Sequence, residues 1–183
     1  MAKKRKNPHA YKTPKPLAEK GFTRFLFYFD QLTWGLSVNL IGAIVFLIFK
    51  LQGCRSEKFC NAFIVYIDNK NFGGLSLGLF IFMNGKDQQP WKHDTRIHEY
   101  GHTIQCLLLG PLYWVVIALP SAVWCNCFAN YRKKNNVSYY WLYCESWANV
   151  WGQKWSSDTQ SFSALPKLKS TKKGVKRKVL LNP

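Results

Sequence analysis

Acidic side chains are scarce in this chain. Nine Asp and Glu stand against 26 Lys and Arg in 183 residues, for a formal net charge of +17. Any carboxylate that does chemistry is therefore one of very few. Glu19, Asp30, Glu57, Asp68, Asp87 and Asp158 fall in tails or predicted loops, which leaves Asp94, Glu99 and Glu145. Histidine is rarer still, with four in all. The stretch from Thr103 to Asn130 holds no charged residue, and such a run fits a membrane segment better than a soluble core helix. The six cysteines include three in apolar stretches, Cys106, Cys125 and Cys127, which excludes the disulfide framework of a small secreted domain. Cys125 and Cys127 are too close in sequence for the usual zinc pair. Most of the cysteines read as small buried apolar residues; Cys54 and Cys60 can pair if their loop faces an oxidising space.

What is there centres on one stretch. His93, His98 and His102 fall within ten residues, and His98-Glu99-Tyr100-Gly101-His102 has the form H-E-x-x-H. On a helix, two histidines four apart share one face. That spacing lets two imidazole nitrogens reach a single zinc ion at about 2.0–2.1 Å. The glutamate beside the first histidine is then placed to take a proton from activated water. Asp94, which precedes the apolar-periodic run and follows Pro90, is the expected helix N-cap. A zinc site of this kind takes a third protein ligand. Glu145, in the aromatic segment Tyr139 to Trp155, is the acid left to supply it, and a carboxylate in such surroundings needs a partner.

These two blocks resemble the gluzincin metalloproteases, above all the membrane-embedded branch that includes the prenyl-protein endopeptidases and the bacterial heat-shock membrane proteases. That branch follows H-E-x-x-H with E-x-x-A-D, and this chain has Glu145-Ser146-Trp147-Ala148-Asn149. The glycine of HEYGH is also similar to the H-E-x-G-H of intramembrane site-2 proteases, but no downstream Asp-Gly pair matches their third ligand. The wider pattern, HEYGHTIQ to ESWAN, resembles small bacterial membrane proteins. The likeness runs from about Leu75 to Gly152. It implies zinc held by His98, His102 and Glu145, with Glu99 as general base. Asn149 stands where the family has an aspartate that orients a zinc-bound histidine. Asparagine still offers a carbonyl oxygen, without the negative charge.

The positive charge is uneven. Met1 to Arg24 carries eight basic residues and Lys167 to Lys178 seven, so 1–24 and 156–183 are expected to be basic, disordered tails. They lack a folded recognition motif and interleaved aromatics, so nucleic acid is not an expected partner. Anionic lipid headgroups are. Residues 25–155 form a single expected domain, membrane-associated and zincin-like. Within it, 32–51 reads as a transmembrane helix of about 30 Å with its one charge, Lys50, at the end. It starts too far in for a cleaved signal peptide. Eight tryptophans and 16% aromatic residues suit a membrane interface. A second apolar membrane segment is expected at 111–128. It separates the two histidines from Glu145, so a shared ion requires either a bent, re-entrant segment or a site at membrane depth. Gly110-Pro111 and Pro120 are the expected break points.

Asn61–Asp68 and Leu75–Met83 read as strands flanking a glycine-rich loop, hence a β-hairpin over 61–83. An edge strand beside the H-E-x-x-H helix, predicted over 94–109, can pair with an extended substrate backbone; simple packing on the helix is the alternative. The last element is a helix over 139–155. The expected fold is therefore α+β, mainly helical, with membrane-embedded helices and a short hairpin before the motif helix. Among the remaining residues, His93 reads as structural. Gln105 lies on the ligand face, where it either touches the site or packs. Tyr139, Tyr140, Tyr143 and Arg132 are candidates to steady a developing oxyanion, or else packing and membrane-edge residues. The function expected is a zinc metalloprotease integral to a bacterial cell membrane and acting on a peptide or protein. The alternative is a non-catalytic, zinc-stabilised membrane scaffold or binding protein.

Overall fold

The computed structural model describes residues 13–69, 72–86 and 90–158. It is α+β and mainly helical, with one four-stranded sheet. The remaining parts of the predicted tails, 1–12 and 159–183, lie outside the described residues. Residues 13–24 are not the disordered tail expected. Lys15 N–H donates to the Ser156 carbonyl at 2.8 Å, and Leu17 N–H donates to the Tyr100 hydroxyl at 3.0 Å. Ala18 exchanges two hydrogen bonds with the Asn61 side chain. This strap leads into α1 (Gly21–Thr33).

The predicted transmembrane helix over 32–51 is broken. α1 and α2 (Leu36–Leu51) meet at 88°. Two buried polar residues, Asn39 within the run and Gln31 just before it, hold the elbow. The Asn39 amide donates to the Gln31 carbonyl and side-chain oxygens, both at 2.8 Å, and to the Gly35 carbonyl. Gln31 in turn donates to the Thr103 carbonyl of the motif helix at 3.0 Å. A side chain at Gly35 would fall 2.9 Å from the Gln31 carbonyl. Among the described residues, no single helix is long and apolar enough to cross a membrane.

The predicted hairpin over 61–83 is also replaced. Gly78, at φ +66°, turns the second apolar run back on itself, giving β3 (Gly74–Leu77) and β4 (Phe80–Asn84). Asn39 seals that turn by accepting from Leu79 N–H at 2.7 Å. Two strands precede them: β1 (Ser56–Phe59) and β2 (Ala62–Ile67). The order is β1-β2-β4-β3, with β2 and β4 parallel and the other pairs antiparallel. β3 is thus an edge strand. Glu57 lies in β1 and Asp30 in α1, not in loops.

The sheet is covered on both faces, which accounts for runs that are apolar rather than alternating. Ile64, Tyr66, Ile81 and Met83 pack with Ile97, Tyr100 and Ile104 of α3 (Trp91–Leu109). Val65 and Phe82 pack on the other side with Val38, Phe46 and Phe49 of α2. Beyond α3 the chain turns by 119° between Trp91–Leu112 and Trp114–Asn126, within the start of the apolar segment predicted over 111–128. It runs through a 3₁₀ turn (Gly110–Leu112), a π-helical turn (Trp114–Ala118) and α4 (Leu119–Asn126). Gly110, at φ +51°, makes the break. α5 (Ala129–Asn135) and a 3₁₀ turn (Tyr139–Trp141) lead to α6 (Tyr143–Trp155), so the helix predicted over 139–155 begins at 143.

α6 crosses α3 at very short range. A Cβ on Gly101 would sit 1.9 Å from the Ala148 carbonyl oxygen, and one on Gly152 would sit 2.0 Å from that of Ile97. Glu145, Ala148, Asn149 and Gly152 therefore form the face of α6 that meets α3.

Candidate metal centre

α3 carries HEYGH in its middle, and residues 97–106 are all buried. The helix starts three residues before Asp94. Pro90 occupies the N-cap, so Asp94 sits in the first turn instead of capping it. A carboxylate there still favours the positive end of the helix dipole.

The second face of each imidazole is held by a side-chain carbonyl. His98 Nδ1 lies 2.7 Å from Asn149 Oδ1, and His102 Nδ1 lies 2.6 Å from Gln105 Oε1. Gln105 cannot be turned round, because its amide N–H donates to the Cys144 carbonyl at 2.8 Å. Both Nδ1 atoms therefore donate, and a neutral ring then has a bare lone pair on Nε2. These two Nε2 atoms are 3.2 Å apart. Glu145 Oε2 lies 3.1 Å from the first and 3.5 Å from the second. It lies off the hydrogen-bonding direction of both, and so makes no hydrogen bond. Three electron-rich atoms this close in a dry interior repel one another unless a cation joins them.

His98, His102 and Glu145, all buried, offer ligand atoms within 4.8 Å of one another and can hold a metal ion. The donor set, two imidazoles and a carboxylate, is one that zinc accepts. Without a metal, a proton takes its place. Burial opposes charge on His102, but the adjacent Glu145 carboxylate outweighs it and raises the imidazole to about 9. Burial alone would raise the Glu145 carboxyl; the two imidazoles prevail and hold it well below its ordinary value.

Glu99 stands beside the ligands. Its Oε2 is buried with no hydrogen-bond partner, and burial raises its carboxyl above the usual range against the pull of both histidines. The side chain crosses the backbone of β3 so closely that a Cβ on Gly74 would meet Glu99 Oε1 at 2.1 Å. A cleft of about 550 Å³ opens here, between β3 on one wall and Tyr113, Ile117, Tyr139 and Tyr140 on the other. The Tyr113 hydroxyl donates to the Ser76 carbonyl at 3.0 Å and ties the two walls together.

The other sequence candidates separate cleanly. His93 pairs with Asp158 at 3.0 Å, joining the start of α3 to the end of α6, away from the centre. Tyr143 donates to the Val116 carbonyl. The Tyr139 hydroxyl meets Ser121 at 3.2 Å. Tyr140 lines the cleft with its ring edge-on to His98, centroids 5.2 Å apart. Arg132 packs over Trp124 and Tyr139 and donates to the Cys125 carbonyl. Cys54 and Cys60 are free thiols. Sequence reasoning missed Gly74 and Tyr113. Their roles depend on β3 being an edge strand, and no local signal in the sequence announces that. No model of a protein family, no curated protein and no solved structure matches the chain.

Proposed function

We propose that the protein is a zinc-dependent metallopeptidase that works at a membrane. His98, His102 and Glu145 are the metal ligands in this reading, and Glu99 is the general base. The observation that carries it is the bonding state of Glu99: a buried carboxylate oxygen without a partner, next to three ligand atoms and facing a cleft. A site built only to hold a structural metal has no need of such a group. Zinc bound there supplies a Lewis acid for the scissile carbonyl and lowers the pKa of water.

The side chains do the rest. Glu99 accepts the proton of the attacking water and delivers it to the leaving amine, and burial raises its pKa, which favours its holding the proton between the two transfers. Asn149 and Gln105 fix the tautomer and direction of the two imidazoles. β3 is an edge strand along the cleft, where an extended peptide can add as a further strand once the Tyr113 hydroxyl yields the Ser76 carbonyl. That mode reads backbone more than side chain. The broad exposed apolar surface described below supports the membrane setting.

The test is zinc content and hydrolysis of unstructured peptides by the wild type, Glu99→Gln and Glu145→Ala. Glu99→Gln keeps its zinc and loses hydrolysis by about 10²-fold or more; Glu145→Ala loses both. Wild-type turnover in Glu99→Gln overturns the mechanism. A zinc-loaded wild type that cleaves no peptide favours the scaffold reading, in which the ion only clamps α3 to α6.

A further inference from the structure

The molecule exposes far more apolar side chain than its charge would suggest. On α1 the outward stripe is Phe22, Phe25, Phe29 and Leu32, between 54% and 72% exposed. On α2 it is Leu40, Ile44, Leu47 and Leu51, between 53% and 80%. A third stripe, Leu108, Leu112, Val115 and Leu119, runs from the end of α3 into α4, between 55% and 66% exposed. The first two keep the spacing of a single helical face; the third follows the broken segment from α3 through the 3₁₀ and π-helical turns into α4. Isolated exposed leucines need no account, but three continuous stripes do.

The route of the chain limits how these stripes can be covered. α2 has 16 residues, about 24 Å against a hydrocarbon core of about 30 Å. Its inner face, with Val38, Phe46 and Phe49, stays on the sheet. α1 turns away at 88°, and the strap before it is tied to Ser156 at the end of α6. The third stripe lies on a segment that leaves α3 and returns to α6, and those two helices touch at Gly101 and Gly152. A segment whose two ends meet cannot start and finish on opposite sides of a bilayer.

Charge marks the rim. Lys20 and Arg24 stand at the start of α1 and Lys50 at the end of α2. Arg132, Lys133 and Lys134 follow α4. Between Gly21 and Leu51 there is one acid, Asp30. Basic residues bordering apolar stripes suit the headgroup layer of an anionic membrane.

We propose that the three stripes are seated together in one leaflet of an anionic phospholipid bilayer, and that no described segment crosses it. The proposal rests on the membrane part of the reading above and not on the peptidase part. It is tested on the full chain in vesicles of phosphatidylcholine and phosphatidylglycerol, with protease-cleavable tags at the N-terminus, after Gly53 and at the C-terminus. Gly53 is exposed, and nothing lies within 4 Å of a Cβ placed there, so it tolerates an insertion.

External protease is expected to remove all three tags from a given molecule or none. Molecules that lose the end tags and keep the one at Gly53, or the reverse, mean a crossing and overturn the proposal. In flotation, the full chain rises with the vesicles, and a Leu40→Glu, Ile44→Glu variant partitions about tenfold less or worse. Both positions are exposed, so circular dichroism stays that of the wild type. Equal flotation of that variant, or a chain that stays in the dense fraction as a dimer, also overturns the proposal. Neither the tag pattern nor flotation depends on peptide hydrolysis, so a failed peptidase assay leaves this result standing.

Discussion

Replacing Gly101 with alanine isolates the contact that brings the third ligand to the other two. The new methyl carbon would lie 1.9 Å from the Ala148 carbonyl oxygen, whereas ordinary contact starts near 3.4 Å. The atom it meets is backbone, in the middle of α6, so no side chain can swing aside. The helix must retreat by about 1.5 Å, or α3 must bend away from it by as much. Glu145 is one turn before Ala148 on the same face and moves with it. A zinc–ligand distance tolerates about 0.2 Å. The expected result is an overpacked core less stable by about 1–3 kcal/mol and a zinc affinity lower by about a hundredfold. Zinc retained after dialysis against a graded series of chelators measures the second effect, and thermal unfolding without metal measures the first. Gly73→Ala is the control, because a methyl group there meets nothing within 4 Å. If Gly101→Ala holds zinc as the wild type does, the close crossing of α3 and α6 does not set the ligand geometry.

Four further expectations concern the same centre. Gln105→Leu removes the acceptor that fixes His102 and leaves the Cys144 carbonyl without its donor, so zinc affinity falls about 10–100-fold; an unchanged affinity in competition titration would count against the tautomer assignment. Asn149→Asp adds a negative charge at the His98 Nδ1 acceptor and leaves zinc content equal or higher, while a loss of zinc would show that Asn149 does not orient the ring. Metal uptake at neutral pH displaces the proton that His102 holds up to about 9, so the apparent affinity rises about tenfold per pH unit from about 6.5 towards 9. Calorimetry in buffers of differing ionisation enthalpy detects that proton. In the metal-free protein the raised imidazole adds stability that is complete below about pH 6.5 and fades as the pH climbs through about 9.

The centre was more legible in the sequence than the scaffold around it. H-E-x-x-H sets two candidate ligands on one helical face, and a chain with nine acids leaves few candidates for a third. Asn149 followed from the family resemblance, since it stands where that family has its aspartate, and the structure puts it on His98. The failures lie where one polar or glycine residue interrupts an apolar run. Hydropathy treats 32–51 as continuous, yet Asn39 reaches back across the elbow to bond Gln31. The run at 75–83 looks like one strand until Gly78 takes a left-handed conformation and doubles it back. The pairing of β2 with β4 in parallel has no local signature at all, because it depends on where the chain goes between them. Basic composition hid the strap at 13–20, whose anchors are backbone groups that no side-chain pattern reports.

That strap has a practical consequence. Its bonds end on Tyr100 and Asn61, and Tyr100 is the middle residue of HEYGH. A shortened chain starting at the first apolar helix would look harmless on a hydropathy plot. It would strip the motif tyrosine and the asparagine beneath it of partners they cannot replace in a dry interior. Trimming of the amino-terminal end should therefore stop short of Lys15.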